Sequence, residues 1–175
     1  MTMKPPAGSS DAEFAALDAY RDEERTLVVI GRPVPIVKSV LRPPVTWDAV
    51  TPGLTFPVLE YVVTPAAVAW YSRTIVSPLI GTPPATSDFV APLFFADEPM
   101  QCIGTLFTRS GRLHANHFVE ALAPVPVGAT VRSAARVTER YERSNRQYYE
   151  VECVISIHDA ERDQPAVRVR ATLVI

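Results

Sequence analysis

Apolar and polar residues alternate with a period of two along the last third of the chain. Over residues 148–158, Tyr149, Val151, Cys153, Ile155 and Ile157 share one face, against Tyr148, Glu150, Glu152, Ser156 and His158 on the other. Over 167–175, Val167, Val169, Ala171, Leu173 and Ile175 oppose Arg168, Arg170 and Thr172. Alternation of this length predicts antiparallel strands with one wet face. Ser144-Asn145 and residues 160–164 supply the turns between them. Two further strands are expected at 113–122 and 130–141, joined by the corner Ala123-Pro124-Val125-Pro126-Val127-Gly128. Proline lacks an N–H and fixes φ, so this corner stands outside a central ladder. Gly128 supplies the permissive backbone from which the next strand leaves.

The first two-thirds of the chain reads differently, because most of its seventeen prolines lie there. Residues 1–10 read as a tail, and Ser10 caps a short helix over 11–25 with a modest apolar stripe of Phe14, Leu17 and Tyr20. An apolar run, 27–30, is followed by a proline-punctuated extended arm to Gly53, with Trp47 placed to pin it down. A strand is expected at 56–63. Thr64-Pro65 then starts a helix, with Thr as N-cap and Pro at the first helical position. Val68, Trp70, Tyr71 and Ile75 make that helix apolar nearly all round, which predicts that it is buried. A long loop covers 77–92, and a short helix or turn with Phe94 and Phe95 covers 92–98. The order is strand, buried helix, long loop, then four antiparallel strands. One curved antiparallel sheet wrapped around one central helix buries both apolar surfaces, an α+β architecture. Residues 1–50 form an N-terminal extension, and 51–175 form the domain.

Charge and cysteine content narrow the function classes. A formal charge of −2 with scattered Lys and Arg gives no electrostatic case for nucleic acid. No apolar run approaches the roughly 18 residues of a membrane-spanning helix, and the polar N-terminus lacks a signal-peptide core. Cys102 and Cys153 have no metal-ligand spacing and read as buried free thiols. A cytoplasmic protein is expected, with no metal and no cofactor.

Three segments resemble the MaoC-like acyl-thioester dehydratase/hydratase family, whose fold is the hotdog. DAVTPGLTFPVLEYVVTPAAVAWYSR is similar to the family's opening strand and helix start. DFVAPLFFAD looks like its apolar segment after the long loop, and LHANHFVEALAPVPVGATVRSAARVTERYERSNRQYYEVECVI like its strand, corner and hairpin. The resemblance covers about residues 50–175. It implies an acyl-CoA or carrier-protein-bound substrate, and a homodimer or a heterodimer with another hotdog subunit. Active members carry Gly-Asp-x-Asn-Pro-Leu-His after the helix, whose Asp and His form the acid/base pair. Aligned on Pro78, this chain has Ile75 in place of the Asp and Ile80 in place of the His. Neither side chain accepts a proton.

Other chemistry must be sought elsewhere. His114 and His117 are three apart and are expected on opposite faces of one strand. Each is either structural or a relocated acid/base group with Asp88 or Glu120 near it. His117 is the stronger candidate, with Asp88, in the loop where a pocket would open, as its acidic helper; His114 ranks behind. Val68, Ile75, Ile80, Phe94 and Phe95 would line an apolar acyl pocket. Asp97-Glu98 is read as solvated charge. Arg132, Arg136, Arg140, Arg143 and Arg146 form either a solvated face or a contact for the phosphates of a CoA or carrier arm. Two function classes follow. One is an enzyme of acyl-thioester or polyketide-like metabolism, a dehydratase-like lyase with relocated catalytic groups. The other is a non-catalytic hotdog subunit paired with an active partner.

Overall fold

The computed structural model describes residues 26–29, 32–35, 42–72, 88–108, 113–159 and 162–175. Along these the elements are β1 (Thr26–Val29), β2 (Arg32–Pro35), a 3-10 turn Trp47–Ala49, β3 (Leu59–Val62) and α1 (Pro65–Tyr71). There follow β4 (Phe89–Val90), a 3-10 turn Pro92–Phe95, α2 (Glu98–Leu106), β5 (Leu113–Ala121) and β6 (Val125–Pro126). The long strands β7 (Thr130–Arg143), β8 (Arg146–His158) and β9 (Asp163–Val174) complete the order. Five strands form one antiparallel sheet in the order β3-β7-β8-β9-β5, while β1–β2 and β4–β6 are separate two-stranded ladders. The expected helix over 11–25 lies outside the described residues.

The alternation in the last third becomes this sheet. Tyr149, Val151, Cys153 and Ile155 of β8 and Val167, Val169, Ala171 and Leu173 of β9 are all buried. Each large apolar side chain among them is worth roughly 1.5–3 kcal/mol of burial. Ser144 and Asn145 both hold left-handed φ, 51° and 57°, the geometry that matches a two-residue turn to the twist of its strands. The proline corner stays out of the main sheet as expected. Its Val125–Pro126 pairs with Phe89–Val90 instead, and Gly128 leaves it at φ 93°.

The central helix is not the one the sequence suggested. In α1 only Ala67 and Tyr71 are buried, and Ala66 and Ala69 face solvent. Thr64 Oγ1 accepts from Ala67 N at 3.2 Å and Pro65 opens the helix, so its start is as expected. Burial belongs to α2, where every residue from Glu98 to Gly104 is buried. Helix α2 packs on β7, β8 and β9. Small residues explain the close approach: Cys102 Sγ lies 3.8 Å from the Ser133 carbonyl of β7, and Gly104 adds no side chain. Glu98, Gln101 and Gly104 interrupt the apolar pattern, which is why this segment did not read as a core helix. Phe94 and Phe95, in the preceding turn, are also core residues and meet edge to face at 5.2 Å.

Residues ahead of β3 extend the sheet. Phe56 N donates to Ala135 O, and Gly53 N to Val137 O, at 3.0 and 2.9 Å. Val45 and Val50, from the end of the arm, join the core. Trp47 does pin the arm: Arg140 lies 4.8 Å from its ring centre and donates to its carbonyl at 2.9 Å. Cys102 and Cys153 are buried thiols outside any disulfide, as expected. Among the described residues no helix is long and apolar enough to cross a membrane.

Candidate functional site

Strand β5 occupies one edge of the sheet and carries the two histidines. A β-bulge between His114 and Asn116 shifts its register against β9. Asn116 Oδ1 accepts the His117 N–H at 2.9 Å, a local bond that competes with regular pairing at the bulge. The bulge changes which face each residue takes. His114 pairs with Leu173 and His117 with Ala171, and both partners are buried, so both histidines lie on the core face. The expectation of opposite faces fails here, because one extra residue between them restores their phase. Their rings meet edge to face with centres 5.1 Å apart. Both are nevertheless exposed, because β5 is an edge strand.

The 3-10 turn Pro92–Phe95, which leads through Asp97 into α2, packs on this strand. Asp97, half-buried, accepts a hydrogen bond from Gln101 Nε2, and its charge reaches His117. His117 is held below the ordinary imidazole value, first by loss of solvent and then by the charge of His114, while Asp97 pulls the other way. The neutral imidazole is therefore the favoured form. Glu98 stands next to Asp97 and is 0 % exposed. It accepts a 2.7 Å hydrogen bond from the Tyr61 hydroxyl of β3 and sits in the first helical turn, where the helix dipole favours negative charge. The expectation that Asp97-Glu98 is solvated fails for Glu98. The helix begins beneath the sheet rather than outside it, and Tyr61 makes burial of the carboxylate tolerable.

The structure brings His114 and His117 together, with the Asp97 charge within electrostatic reach of His117. Asp88 is exposed in the segment just before β4, where its carbonyl accepts from Val127 N at 2.9 Å. Val68 is half-buried on α1, and Phe94 packs edge to face on Tyr71 at 5.4 Å. Ile75 and Ile80 lie outside the described residues. Glu120 is taken by Arg168 at 2.7 Å. Sequence reasoning missed Glu98, Tyr61 and Gln101. The only signal was a carboxylate and an amide three apart inside an otherwise apolar run. Among the described residues no group of three or more His, Cys, Asp or Glu side chains is placed to hold a metal ion.

No family model matches the chain. No curated protein matches it either. Solved structures do match in fold. One is an (R)-hydratase from A. caviae involved in PHA biosynthesis, at TM-score 0.53 and 16% identity, covering 72% of this chain and 97% of that one. Another is a MaoC-like dehydratase from Rhodospirillum rubrum, at 0.56 and 15%, covering 75% and 96%. A third is the HadBC (3R-hydroxyacyl-ACP dehydratase) complex from Mycobacterium tuberculosis, at 0.55 and 12%, covering 71% and 96%. Identities this low speak for the fold alone. The curved five-stranded sheet around α2, together with these neighbours, shows that the chain has the hotdog fold found in MaoC-like dehydratases.

Proposed function

We propose that this protein acts on acyl-thioester or polyketide-like substrates, as a dehydratase-like lyase whose acid/base groups have moved to β5. The observation that carries the reading is the bulge that turns His114 and His117 onto the core face, where their rings meet. In a dehydration, His117 takes the α-proton of a β-hydroxyacyl thioester. A second group protonates the departing β-hydroxyl, which leaves as water. His114 is closest to His117; Asp88 and Asp97 are the carboxylates to test in that role. Val68, Ile75, Ile80, Phe94 and Phe95 are proposed to face or support the acyl chain. Hydratase, dehydratase and acyl-carrier neighbours of the same fold support an acyl-thioester substrate.

A pair of hotdogs is part of the same reading. The two sheet edges differ: β3 is four residues long and flanked by Pro57 and Pro65, whereas β5 is nine residues long with no Pro and no Lys. A long unguarded edge invites a further strand. A second reading, a non-catalytic subunit beside an active partner, is favoured by Ile75 and Ile80 at the family's dyad positions and by a neighbour that is itself a two-component complex.

Hydration of a trans-2-enoyl-CoA by the purified chain tests both readings. Under the relocated-catalyst reading the chain turns over alone, and His117→Ala lowers turnover roughly 10²–10⁴-fold with little change in melting temperature. Absent turnover, or equal small effects of His117→Ala and His114→Ala, rejects that reading and leaves the partner subunit.

A further inference from the structure

Most arginines on the described sheet are engaged. Arg132 pairs with Glu60 at 3.1 Å and Asp163 at 3.3 Å, Arg136 with Glu152 at 3.2 Å, and Arg168 with Glu120 at 2.7 Å. Arg140 lies on Trp47 and Arg170 on Phe118. Arg143 and Arg146 are the exceptions. They are direct cross-strand partners at the tip of the β7–β8 hairpin, and neither has an ion pair or ring partner among the described residues. Like charges placed directly opposite one another destabilise a sheet, and the rigid Ser144-Asn145 turn keeps them there. Glu142 does not relieve them, since it lies on the other face and binds Gln147 at 3.0 Å.

One row inward on the same face, Tyr141 and Tyr148 are also direct partners, their rings stacked at 5.2 Å and 7°. Two guanidinium forks converge on an anion, and the flat tyrosine pair beside them offers a surface for a planar base. We infer that the hairpin tip, on the outer face of the sheet, binds the phosphate end of a purine nucleotide. Glu139 and Glu150 form the next row and repel phosphate. The phosphates therefore sit at the tip and the base over the tyrosines.

The test uses adenosine 3′,5′-bisphosphate, which has no acyl arm and so reads the nucleotide site apart from the proposed function. Calorimetric titration should show binding that weakens at least tenfold in the double variant Arg143→Thr/Arg146→Thr, and in Tyr148→Ala. Arg136→Ala, whose guanidinium is already paired, should bind as the native chain does. Without ligand, Arg146→Glu should melt above the native protein, because it turns cross-strand repulsion into attraction. No binding, or equal binding by the double variant, overturns the inference. Capture of an acidic acyl-carrier protein through these arginines without nucleotide binding also overturns it. Arginine-dependent nucleotide binding without enoyl-CoA turnover retains this site and rejects the dehydratase reading.

Discussion

Removing the Tyr61 hydroxyl measures how the start of α2 is held beneath the sheet. Tyr61→Phe deletes the 2.7 Å donor to a carboxylate that is 0 % exposed. Hydrogen bonds to charged groups contribute roughly 1.5–3 kcal/mol, and a buried acceptor that loses its donor keeps its desolvation penalty. A loss of about 2 kcal/mol is expected. For a chain of this size each kcal/mol moves the midpoint about 2–4 °C, so melting should fall by about 4–8 °C. A double-mutant cycle separates the bond from general disturbance of β3. Glu98→Leu removes the charge and leaves an apolar side chain of similar length, a replacement that need not destabilise. In that background Tyr61→Phe should cost less, because the bond to Glu98 is already gone. Urea unfolding followed by circular dichroism, at one protein concentration, gives all four stabilities. Equal costs of Tyr61→Phe in both backgrounds would refute the argument.

Two further outcomes follow from the geometry. His117 should titrate below the usual imidazole value of about 6.5, and NMR should show its pKa rise in His114→Ala and fall further in Asp97→Asn. Because the folded value is the lower one, the stability linked to this group is fully present above about pH 6.5. It is lost as pH falls, since the unfolded chain takes the proton first; a stability profile flat from pH 7 to 5 in the native chain, with His117→Ala identical, contradicts this. Gly128→Ala should destabilise by about 1 kcal/mol through backbone strain alone, because φ is 93° and nothing lies within 4 Å of an added Cβ; a neutral result in urea unfolding would count against that conformation.

Strands were legible because their signal is local. Tyr149 through Ile155 and Val167 through Leu173 announce their inner face by alternation alone, and burial agrees. The wrapped-helix architecture followed from that sheet needing a partner. Which helix filled it was not legible. Trp70 and Val68 made α1 look like core, yet α1 is too one-sided, and the helix beneath the sheet hides a carboxylate, an amide and a glycine. Local apolarity does not reveal that Tyr61, thirty-seven residues away, will satisfy Glu98. The histidines show the same limit at shorter range, for their spacing gives phase only while the strand stays regular.

The register shifts of the sheet act like frameshifts written in space. One falls between Val137 and Glu139 on β7, one between His114 and Asn116 on β5, and one where β9 passes from Pro165 to Val167 opposite Ser156 and Ile155. Below each of them the inside and outside of a strand trade places. The identity of the residues then matters less than their count. Deleting Ala115 would remove the bulge and leave His114 two residues from His117, each still opposite its present neighbour on β9. Both imidazoles would then stay on the core face and keep their His114–His117 nuclear Overhauser effect, whereas one residue inserted beside Ala115, with the single bulge kept, would send His114 to the opposite surface and abolish it. One added residue, which counts as trivial when strands are compared by composition, is here the difference between two imidazoles that meet and two that never do.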